Sequence, residues 1–317
     1  LPREGADVTT SRDGRWVVLL RESGRVEWHD LRDGRVASAE GVEAREGLAV
    51  APDGTVALRP YTDLLMLHPR GAARARCSIG KPANQAIFSP DSSLLATWSS
   101  DDPSVRLWRA GDCRVVGVVP RKGQAPTAAF SSDGGSLLVS DDKVIRRWNI
   151  AARGFDAGLA LDAPSATNIA ADARFIATAH GDGIIRLTRA GGSTILLQGP
   201  HGHTTVRFLA FSPDGLWLAS VGDDDRAVLW DLATSQPIGT PIDADQGQLR
   251  FVAFSDDSRT LLTFGTDGPP KRWDIDAVAW AEQACRVAQR NLTCGEWRRV
   301  FGAQPYRKTC PAFPGGC

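Results

Sequence analysis

The sequence predicts an all-β fold: a seven-bladed β-propeller over residues 1–274, followed by a short C-terminal helical cap at residues 275–317. Three observations support this prediction. A tight-turn motif recurs seven times, a strand ending in tryptophan or a substitute follows each copy, and the apolar pattern becomes helical after Asp274. A chain of 317 residues is long enough to form one large all-β domain with a sizeable core.

A Ser-Pro-Asp-Gly turn, or a near relative of it, marks each repeat. Asp and Gly at its centre supply the backbone conformations that a tight hairpin requires. Short apolar strands flank each copy, so a pair of strands joined by a hairpin is expected in every unit. The copies begin at Ser11, Ala51, Ser89, Ser131, Ala170, Ser212 and Ser255.

A third strand in each unit ends near a tryptophan or a substitute for it. A period near 40 residues with three or four short strands per unit is typical of a β-propeller. The seventh unit turns helical after Trp273, so Leu1–Gly5, or residues upstream of them, are expected to supply its fourth strand. The third-strand positions are Trp28, Leu67, Trp108, Trp148, Thr188, Trp230 and Trp273.

The sixth unit carries the most complete set of motifs. Residues 202–231 hold Gly-His, Ser-Pro-Asp-Gly, Leu-Ala-Ser, Asp and Trp-Asp in that order, and in this they resemble the WD-repeat family. The resemblance implies that four side chains form a buried hydrogen-bonded set that braces the blade: His203, Ser220, Asp224 and Trp230. Periplasmic TolB-like propellers share the turn but lack the Gly-His and Arg-Leu-Trp-Asp elements, and they are the less favoured alternative.

The composition argues against several classes of partner. Lys and Arg together number 37, as do Asp and Glu, so no net charge draws the chain toward nucleic acid or an anionic membrane. No apolar run reaches the ~18 residues that a membrane helix needs. With no signal peptide pattern at its start, the sequence predicts a cytoplasmic protein that binds neither membrane nor nucleic acid.

The sequence shows no constellation that favours catalysis, a metal or a cofactor, so a non-enzymatic protein is expected. His201-Gly202-His203 has the spacing of metal ligands, but His203 already has a structural role in the repeat. Acidic residues cluster at 101–102, 141–142 and 223–225, where calcium binding is one interpretation. Asp is also favoured in turns because it bonds the backbone, and this second interpretation is preferred.

The expected function is binding of a protein or peptide. By resemblance, the partner face carries the loops between the second and third strands, together with the mouth of the central channel. Arg207 and Arg250 occupy matching places on inner strands, and Arg and Trp are enriched at interface hot spots. Packing between blades is the favoured alternative for Trp98. The candidate residues are Trp98, Asp101, Lys143, Arg207, Asp225, Arg226 and Arg250.

The last 43 residues change to a helical pattern. Small residues recur every three or four positions from Ala277 to Ala288, giving a stripe able to lie close against another surface. Asn291 is expected to end this helix in the left-handed conformation. Thr293 and Glu296 predict a capping box that opens a second helix, which Gly302 ends.

The tail also carries a motif that resembles the end of certain bacterial signal-transduction ATPases with numerous domains, which are relatives of NOD-like immune receptors. In these proteins a WD-repeat propeller is the C-terminal sensor. The resemblance therefore implies a regulatory module that responds to a trigger and controls an ATPase domain of the same chain in signalling or defence. A scaffold without a switch is the alternative. The motif residues are Cys285, Arg290, Asn291, Leu292, Thr293, Glu296, Trp297, Pro305, Tyr306 and Cys310.

Six cysteines allow two interpretations. Cys285 and Cys310 belong to the motif, and a disulfide between them would pin the second half of the tail to its first helix. Reduced thiols are the favoured alternative in a cytoplasmic protein. Cys317, at the end of the sequence, is expected to be exposed and free. The spacings include no Cys-x-x-Cys, so a zinc cluster is not favoured.

Overall fold

The computed structural model shows seven antiparallel sheets whose innermost strands contact one another in sequence order, as expected for a propeller. The predicted fold class, an all-β seven-bladed propeller with a small helical segment at its C-terminus, is confirmed. The structure describes residues 6–44, 46–59, 63–69, 73–78, 83–99, 102, 104–120, 127–141, 143–163, 166–189, 192–266 and 270–317.

Each blade is an up-and-down sheet whose strands are adjacent in sequence. Blade 1 contains β1 (Ala6–Thr10), β2 (Trp16–Arg21), β3 (Val26–Asp30) and β4 (Val36–Ala39). Blade 2 contains β5 (Glu46–Val50), β6 (Val56–Arg59), β7 (Asp63–Leu67) and β8 (Ala73–Ser78). Blade 3 contains β9 (Gln85–Phe88), β10 (Leu94–Trp98), β11 (Ser104–Arg109) and β12 (Val115–Pro120). Blade 4 contains β13 (Ala128–Phe130), β14 (Ser136–Asp141), β15 (Val144–Asn149) and β16 (Gly154–Asp162).

The last three blades follow the same order. Blade 5 contains β17 (Ala166–Ala171), β18 (Phe175–His180), β19 (Ile185–Arg189) and β20 (Thr194–Leu197). Blade 6 contains β21 (Val206–Phe211), β22 (Trp217–Gly222), β23 (Arg226–Asp231), and two short strands that both pair with β23, β24 (Gln236–Pro237) and β25 (Ile242–Asp243). Blade 7 contains β26 (Leu249–Phe254), β27 (Thr260–Gly265) and β28 (Lys271–Asp274). The predicted contribution of Leu1–Gly5 to blade 7 lies outside the described residues.

The repeated turn closes through its own side chains. In blade 6 the Ser212 hydroxyl donates to Asp214 Oδ1 at 2.6 Å and accepts the Trp217 N–H at 2.9 Å. Asp214 Oδ1 also accepts the Leu216 N–H at 2.9 Å. Ser and Asp thus replace ladder hydrogen bonds where the chain reverses, which is why this short motif recurs wherever the first strand meets the second.

Apolar side chains pack between neighbouring blades, and a last cluster closes the ring. Val17 and Leu19 of blade 1 pack with Leu262 and Phe264 of blade 7. The described parts of blades 1 and 7 are therefore in direct contact.

The strand register corrects one sequence prediction. In blade 6, Leu218 lies opposite Trp230, and in blade 1 the equivalent Val17 lies opposite His29. His29, not Trp28, therefore holds the third-strand tryptophan position of blade 1. Trp28 projects from the other face of the sheet and packs against blade 2, where its indole N–H donates to the Gly54 carbonyl at 2.9 Å.

The tail forms two helices, α1 (Ala277–Ala288) and α2 (Cys294–Phe301). The predicted capping box at Thr293 and Glu296 forms, and Gly302, with φ +63°, ends α2. Asn291 does not end α1 in the left-handed conformation, since Gln289 has the positive φ of 51°.

The stripe of small residues on α1 faces outward where its side chains are described: Ala281, Ala284 and Ala288 are exposed. Next to the propeller, the Trp280 indole N–H donates to the Asp274 carbonyl at 3.0 Å. Packing of the whole tail, residues 275–317, on the propeller stays a prediction.

The cysteines differ from the favoured prediction, because all six are paired. Cys285 is bonded to Cys310, which was the less favoured interpretation of the motif. Cys317 is not free but bonded to Cys294. The Cα atoms of the three pairs lie 5.2–5.4 Å apart, as disulfides require. The fold sets these distances, so the spacing of the cysteines along the sequence does not reveal them. The third pair, Cys77 with Cys113, joins β8 of blade 2 to the β11–β12 turn of blade 3.

Candidate partner-binding surface

A buried hydrogen-bonded network braces blade 6. The indole N–H of Trp230 donates to the Ser220 hydroxyl oxygen at 2.8 Å, and that hydroxyl lies 2.8 Å from His201 Nε2. His201 Nδ1 lies 3.0 Å from both carboxylate oxygens of Asp224. A neutral imidazole with its proton on Nδ1 donates to Asp224 and accepts from Ser220, so every polar atom of the network has a partner.

The histidine of this network is His201, which corrects the sequence prediction of His203. Gly202 takes the left-handed conformation, with φ +59°, and turns the chain between the two histidines. His201 is 3% exposed, whereas His203 is exposed to solvent. Ser220, Asp224 and Trp230 stand where the sequence placed them. Both His201 and His203 lie shortly before β21, so the sequence alone does not show which of them joins the network.

Other blades keep only parts of this network. In blade 7 the Trp273 indole N–H donates to the Thr263 hydroxyl at 3.0 Å, and this hydroxyl donates to Gln246 Oε1 at 2.7 Å. Gln246 thus takes the place of the histidine. In blade 3 the Trp108 indole N–H donates to Thr97 at 2.8 Å.

Two arginines project from equivalent irregularities on adjacent inner strands. The ladder of β21 with β22 shifts register at Arg207, and that of β26 with β27 shifts at Arg250. A β-bulge re-aims the side chain it carries, and both arginines are exposed. Equivalent β-bulges on neighbouring blades therefore point two guanidinium groups out of the innermost strands.

These arginines share one acidic neighbour. Arg207 binds Asp223 at two points, with Nε to Oδ1 and Nη2 to Oδ2 distances of 2.8 Å. The hydrogen bonds from Arg207 hold the pKa of Asp223 below its usual value, and the charge of Arg250 lowers it further. Asp223 is thus ionised at neutral pH, and the three side chains together carry one net positive charge.

An aromatic pair lies beside the arginines. Phe208 and Phe251, the residues that follow Arg207 and Arg250, pack edge to face with ring centroids 5.2 Å apart. Both rings are only partly buried. A half-exposed aromatic pair next to an exposed cation is the combination that interface hot spots favour.

The remaining candidates for the partner face differ in their exposure. Lys143, Asp225 and Arg226 are exposed, and Asp225 takes a left-handed φ of 59° in the turn before β23. Trp98 is not accessible: it is 5% exposed and packs with blade 4, so the packing interpretation is correct. Asp101 lies outside the described residues.

The tail motif residues come together around Asn291. Its amide Nδ2 donates to the carbonyls of Cys310, Phe313 and Pro314 at 2.7–3.0 Å, and its Oδ1 accepts the Cys310 N–H at 2.7 Å. Asn291 is 3% exposed. A single buried amide therefore organises the turn that follows the Cys285–Cys310 disulfide, a role that its neighbours in sequence do not suggest.

The other motif residues complete this small unit. Arg290 binds Glu296 at two points, 2.7 and 2.8 Å. The Trp297 indole packs edge to face on Tyr306 with centroids 5.4 Å apart. Leu292 is half-buried, and Pro305 is exposed.

Among the residues that the structure describes, no three His, Cys, Asp or Glu side chains are grouped so that they could hold a metal ion. No helix in this part of the chain is both long enough and apolar enough to cross a membrane.

Comparison with known proteins agrees with the geometry. Residues 81–109 and 195–231 match the model of the WD domain, G-beta repeat, and the second segment contains the His201 network. The chain is therefore a seven-bladed propeller, and two of its segments are similar to WD repeats, which generally occur in scaffolds that bind proteins or peptides.

The chain is also similar to two fungal proteins, each called Nuclear distribution protein PAC1, from Arthroderma benhamiae and Trichophyton verrucosum. Identity is 28% over 179 residues in both cases, covering 47% of this chain. The chain covers only 38% of the length of each of these curated relatives. Fold alone does not identify what is bound, so function has to be argued from the surface.

Proposed function

We propose that the protein binds a protein or peptide partner through a surface on blades 6 and 7, without catalysing a reaction. This surface, the blade 6–7 patch, consists of Arg207, Phe208, Asp223, Arg250 and Phe251. The observation that carries the proposal is the pair of equivalent bulges that aim Arg207 and Arg250 outward beside two half-exposed phenylalanines. Strands position four of the five members, and Asp223 lies directly after β22 and is bound by Arg207, which keeps the entropic cost of binding low.

The patch also indicates the chemistry of the partner. Asp223 already accepts two hydrogen bonds from the guanidinium of Arg207. Arg250 is therefore the cation better able to donate to a carboxylate of the partner. The phenylalanines offer an apolar contact next to it. We therefore expect a segment that places an acidic residue beside an aromatic or aliphatic one.

Selection from a displayed peptide library, with the full chain as bait, tests this proposal. Enriched peptides should combine an acidic with an apolar residue and should bind Arg250→Glu at least about tenfold more weakly, a loss of ~1.4 kcal/mol. Arg153→Glu makes the same charge change in the exposed β15–β16 turn of blade 4 and should leave binding unchanged. Peptides that bind Arg250→Glu and the unmodified chain equally would show that the patch is not the site.

Within this binding function, a sensor and a scaffold are the two candidates. The tail motif supports a sensor that controls an ATPase of the same chain. In that case the coding sequence upstream of Leu1 should contain a Gly-x-x-x-x-Gly-Lys-Ser/Thr loop, and partner binding should change nucleotide turnover of the intact protein. If saturating partner does not change nucleotide turnover, the sensor function is excluded and the scaffold function remains.

The disulfides weigh toward the scaffold. Cytosolic thiol systems keep most cysteines reduced, whereas disulfides persist in oxidising compartments. Three disulfides are therefore at odds with the predicted cytoplasmic location, where an ATP-driven switch would act. Trapping thiols with an alkylating reagent at the moment of cell lysis distinguishes the two: six alkylated cysteines per chain support a cytosolic sensor, and none supports a scaffold in an oxidising compartment.

A further inference from the structure

The interface between blades 7 and 1 differs in chemistry from most of the other interfaces. Two side chains meet at each interface. One comes from the third-strand residue directly before the tryptophan position of a blade, and the other from the tryptophan position of the following blade. Elsewhere these two residues are commonly both apolar and pack in one cluster. Such pairs are Trp28 with Leu67, Met66 with Trp108, Leu107 with Trp148, Leu187 with Trp230, and Leu229 with Trp273.

At the blade 7–blade 1 interface the corresponding residues are Arg272 and His29. Their positions follow from the register, because Arg272 lies opposite Leu262 as Leu229 lies opposite Ala219. Two basic residues thus stand where an aliphatic side chain and an indole meet in blades 5 and 6. Neither fills the space, and both line a cavity of ≈ 490 Å³.

The cavity has an apolar floor. Val17, Leu31 and Leu262 line it, and they belong to the cluster that closes the ring. Its volume is within the ~300–1,000 Å³ typical of small-molecule sites. An ion pair between Arg32 of blade 1 and Asp256 of blade 7 lies at its edge and ties the two blades together.

The acidic residues around the cavity already have partners. Asp13 accepts the Ser11 hydroxyl and the Arg15 N–H, and Asp256 is paired with Arg32. Asp257 accepts the Ser255 hydroxyl and the backbone N–H of Arg259. Asp13 and Asp257 thus hold two of the repeated turns closed.

The basic residues that line the cavity differ in whether they have an acidic partner. Arg15 is bound by Asp30 at 2.9 Å. Among the described residues, the Arg272 side chain has no ion pair or hydrogen bond, and the buried Nε2 of His29 has no hydrogen-bond partner. The nearest carboxylate oxygen to His29 Nε2, from Glu27, is 3.8 Å away, and Glu27 is itself held by Arg21 at 2.9 Å. The guanidinium of Arg272 therefore remains available to a ligand, and the His29 ring forms part of the cavity wall.

We propose that the cavity between blades 7 and 1 binds a small organic anion, a carboxylate attached to a compact aromatic group. The carboxylate accepts from Arg272, and the ring packs on Val17, Leu31 and Leu262, where an indole packs in the equivalent place of blade 6. Planar carboxylates match the fork of a guanidinium. This site is separate from the blade 6–7 patch, and its ligand would bridge the two blades that close the ring.

Calorimetric titration of the full chain tests the proposal with benzoate and indole-3-acetate as probes. We expect saturable binding by ~10 mM, and benzamide and inorganic phosphate should bind at least about tenfold more weakly because each lacks one half of the recognition chemistry. No saturable binding of either carboxylate, or phosphate binding as tight as theirs, overturns the proposal.

Two variants locate the site. Arg272→Leu installs the leucine found at this position in blades 3, 5 and 6 and should weaken benzoate binding at least about tenfold. His29→Trp restores the indole, should fill the cavity, and should weaken binding as much while the melting temperature rises. Arg147→Leu is the matched control, since Arg147 holds the same register position in blade 4. Equal losses in Arg147→Leu and Arg272→Leu, or none in Arg272→Leu, would refute the assignment whether or not His29→Trp folds.

Discussion

The Nε2 atom of His201 lies 2.8 Å from the hydroxyl oxygen of Ser220, and the same hydroxyl accepts the indole N–H of Trp230. This hydroxyl is the centre of the blade 6 network and is fully buried. Removing the imidazole leaves buried polar atoms without partners, and such a loss costs about 1–3 kcal/mol. His201→Ala should therefore lower the free energy of unfolding in urea by that amount.

His203→Ala is the control for this prediction. His203 is exposed and two residues away in the same segment, so its replacement should change the free energy of unfolding by less than ~0.5 kcal/mol. A larger loss for His203→Ala than for His201→Ala would contradict the network that the structure shows.

The sequence predicted the parts of the fold that local chemistry determines. The seven turns could be found because each contains an Asp whose side chain accepts a backbone N–H, as Asp214 does from Leu216. Five of them add a Ser hydroxyl that donates to this Asp, as Ser212 does. Strand phase was also available in the sequence, since His29 follows Ser11 by 18 residues, as Trp230 follows Ser212. The sequence prediction assigned the tryptophan position of blade 1 to Trp28, one residue too early. A shift of one residue in a strand places the side chain on the opposite face of the sheet.

Other features depend on contacts that are distant in sequence. Asn291 bonds carbonyls about 20 residues further along the chain, and Cys77 meets Cys113 across two blades. Spacing does not reveal such pairs. The blade 6–7 patch lies between these cases: Arg207 and Arg250 could be aligned from sequence, but the bulges that expose them and the pairing of Phe208 with Phe251 required the structure.

The Arg290–Glu296 pair predicts how the tail responds to acid. The bonds from Arg290, and then those from Thr293, hold the pKa of Glu296 far below its usual value. A carboxyl with a lower pKa in the folded state stabilises it fully above the unfolded pKa of about 4.3, and this stabilisation is lost as pH falls toward the folded value. Carboxyl NMR should show Glu296 still ionised where exposed glutamates are half-protonated.

Arg290→Ala should raise the pKa of Glu296 toward the ordinary range, because it removes the main cause of the shift. Glu296→Gln should remove the corresponding part of the acid dependence of tail unfolding, followed by Trp297 fluorescence. A Glu296 carboxyl that titrates near 4 in the unmodified protein would exclude the pairing in solution.

The Cys77–Cys113 disulfide should stabilise the propeller where its tryptophan bracing is absent. Blade 2 has Leu67 at the tryptophan position, and the bond ties its outer strand to blade 3. Closing a loop of this size, with a sequence separation of 36, contributes about 2–4 kcal/mol. Cys113→Ser should lower the free energy of propeller unfolding by that amount in non-reducing urea titrations.

Cys294→Ser serves as the comparison for Cys113→Ser. It breaks the bond to Cys317 within the tail and should leave the propeller transition in place. If both variants shift that transition equally, the Cys77–Cys113 bond has no special role in joining blades 2 and 3.

Ring closure between blades 1 and 7 can be tested at a single glycine. Gly14 has φ +68°, and a Cβ added to it would lie 2.4 Å from the Phe254 carbonyl oxygen of blade 7. Gly34 has φ +73°, but nothing lies within 4 Å of its added Cβ. Both alanine variants incur the left-handed penalty of about 1–2 kcal/mol, and only Gly14→Ala must also separate the blades. Its free energy of unfolding should therefore fall further than that of Gly34→Ala, and equal losses would mean that the two blades do not meet at Gly14 in solution.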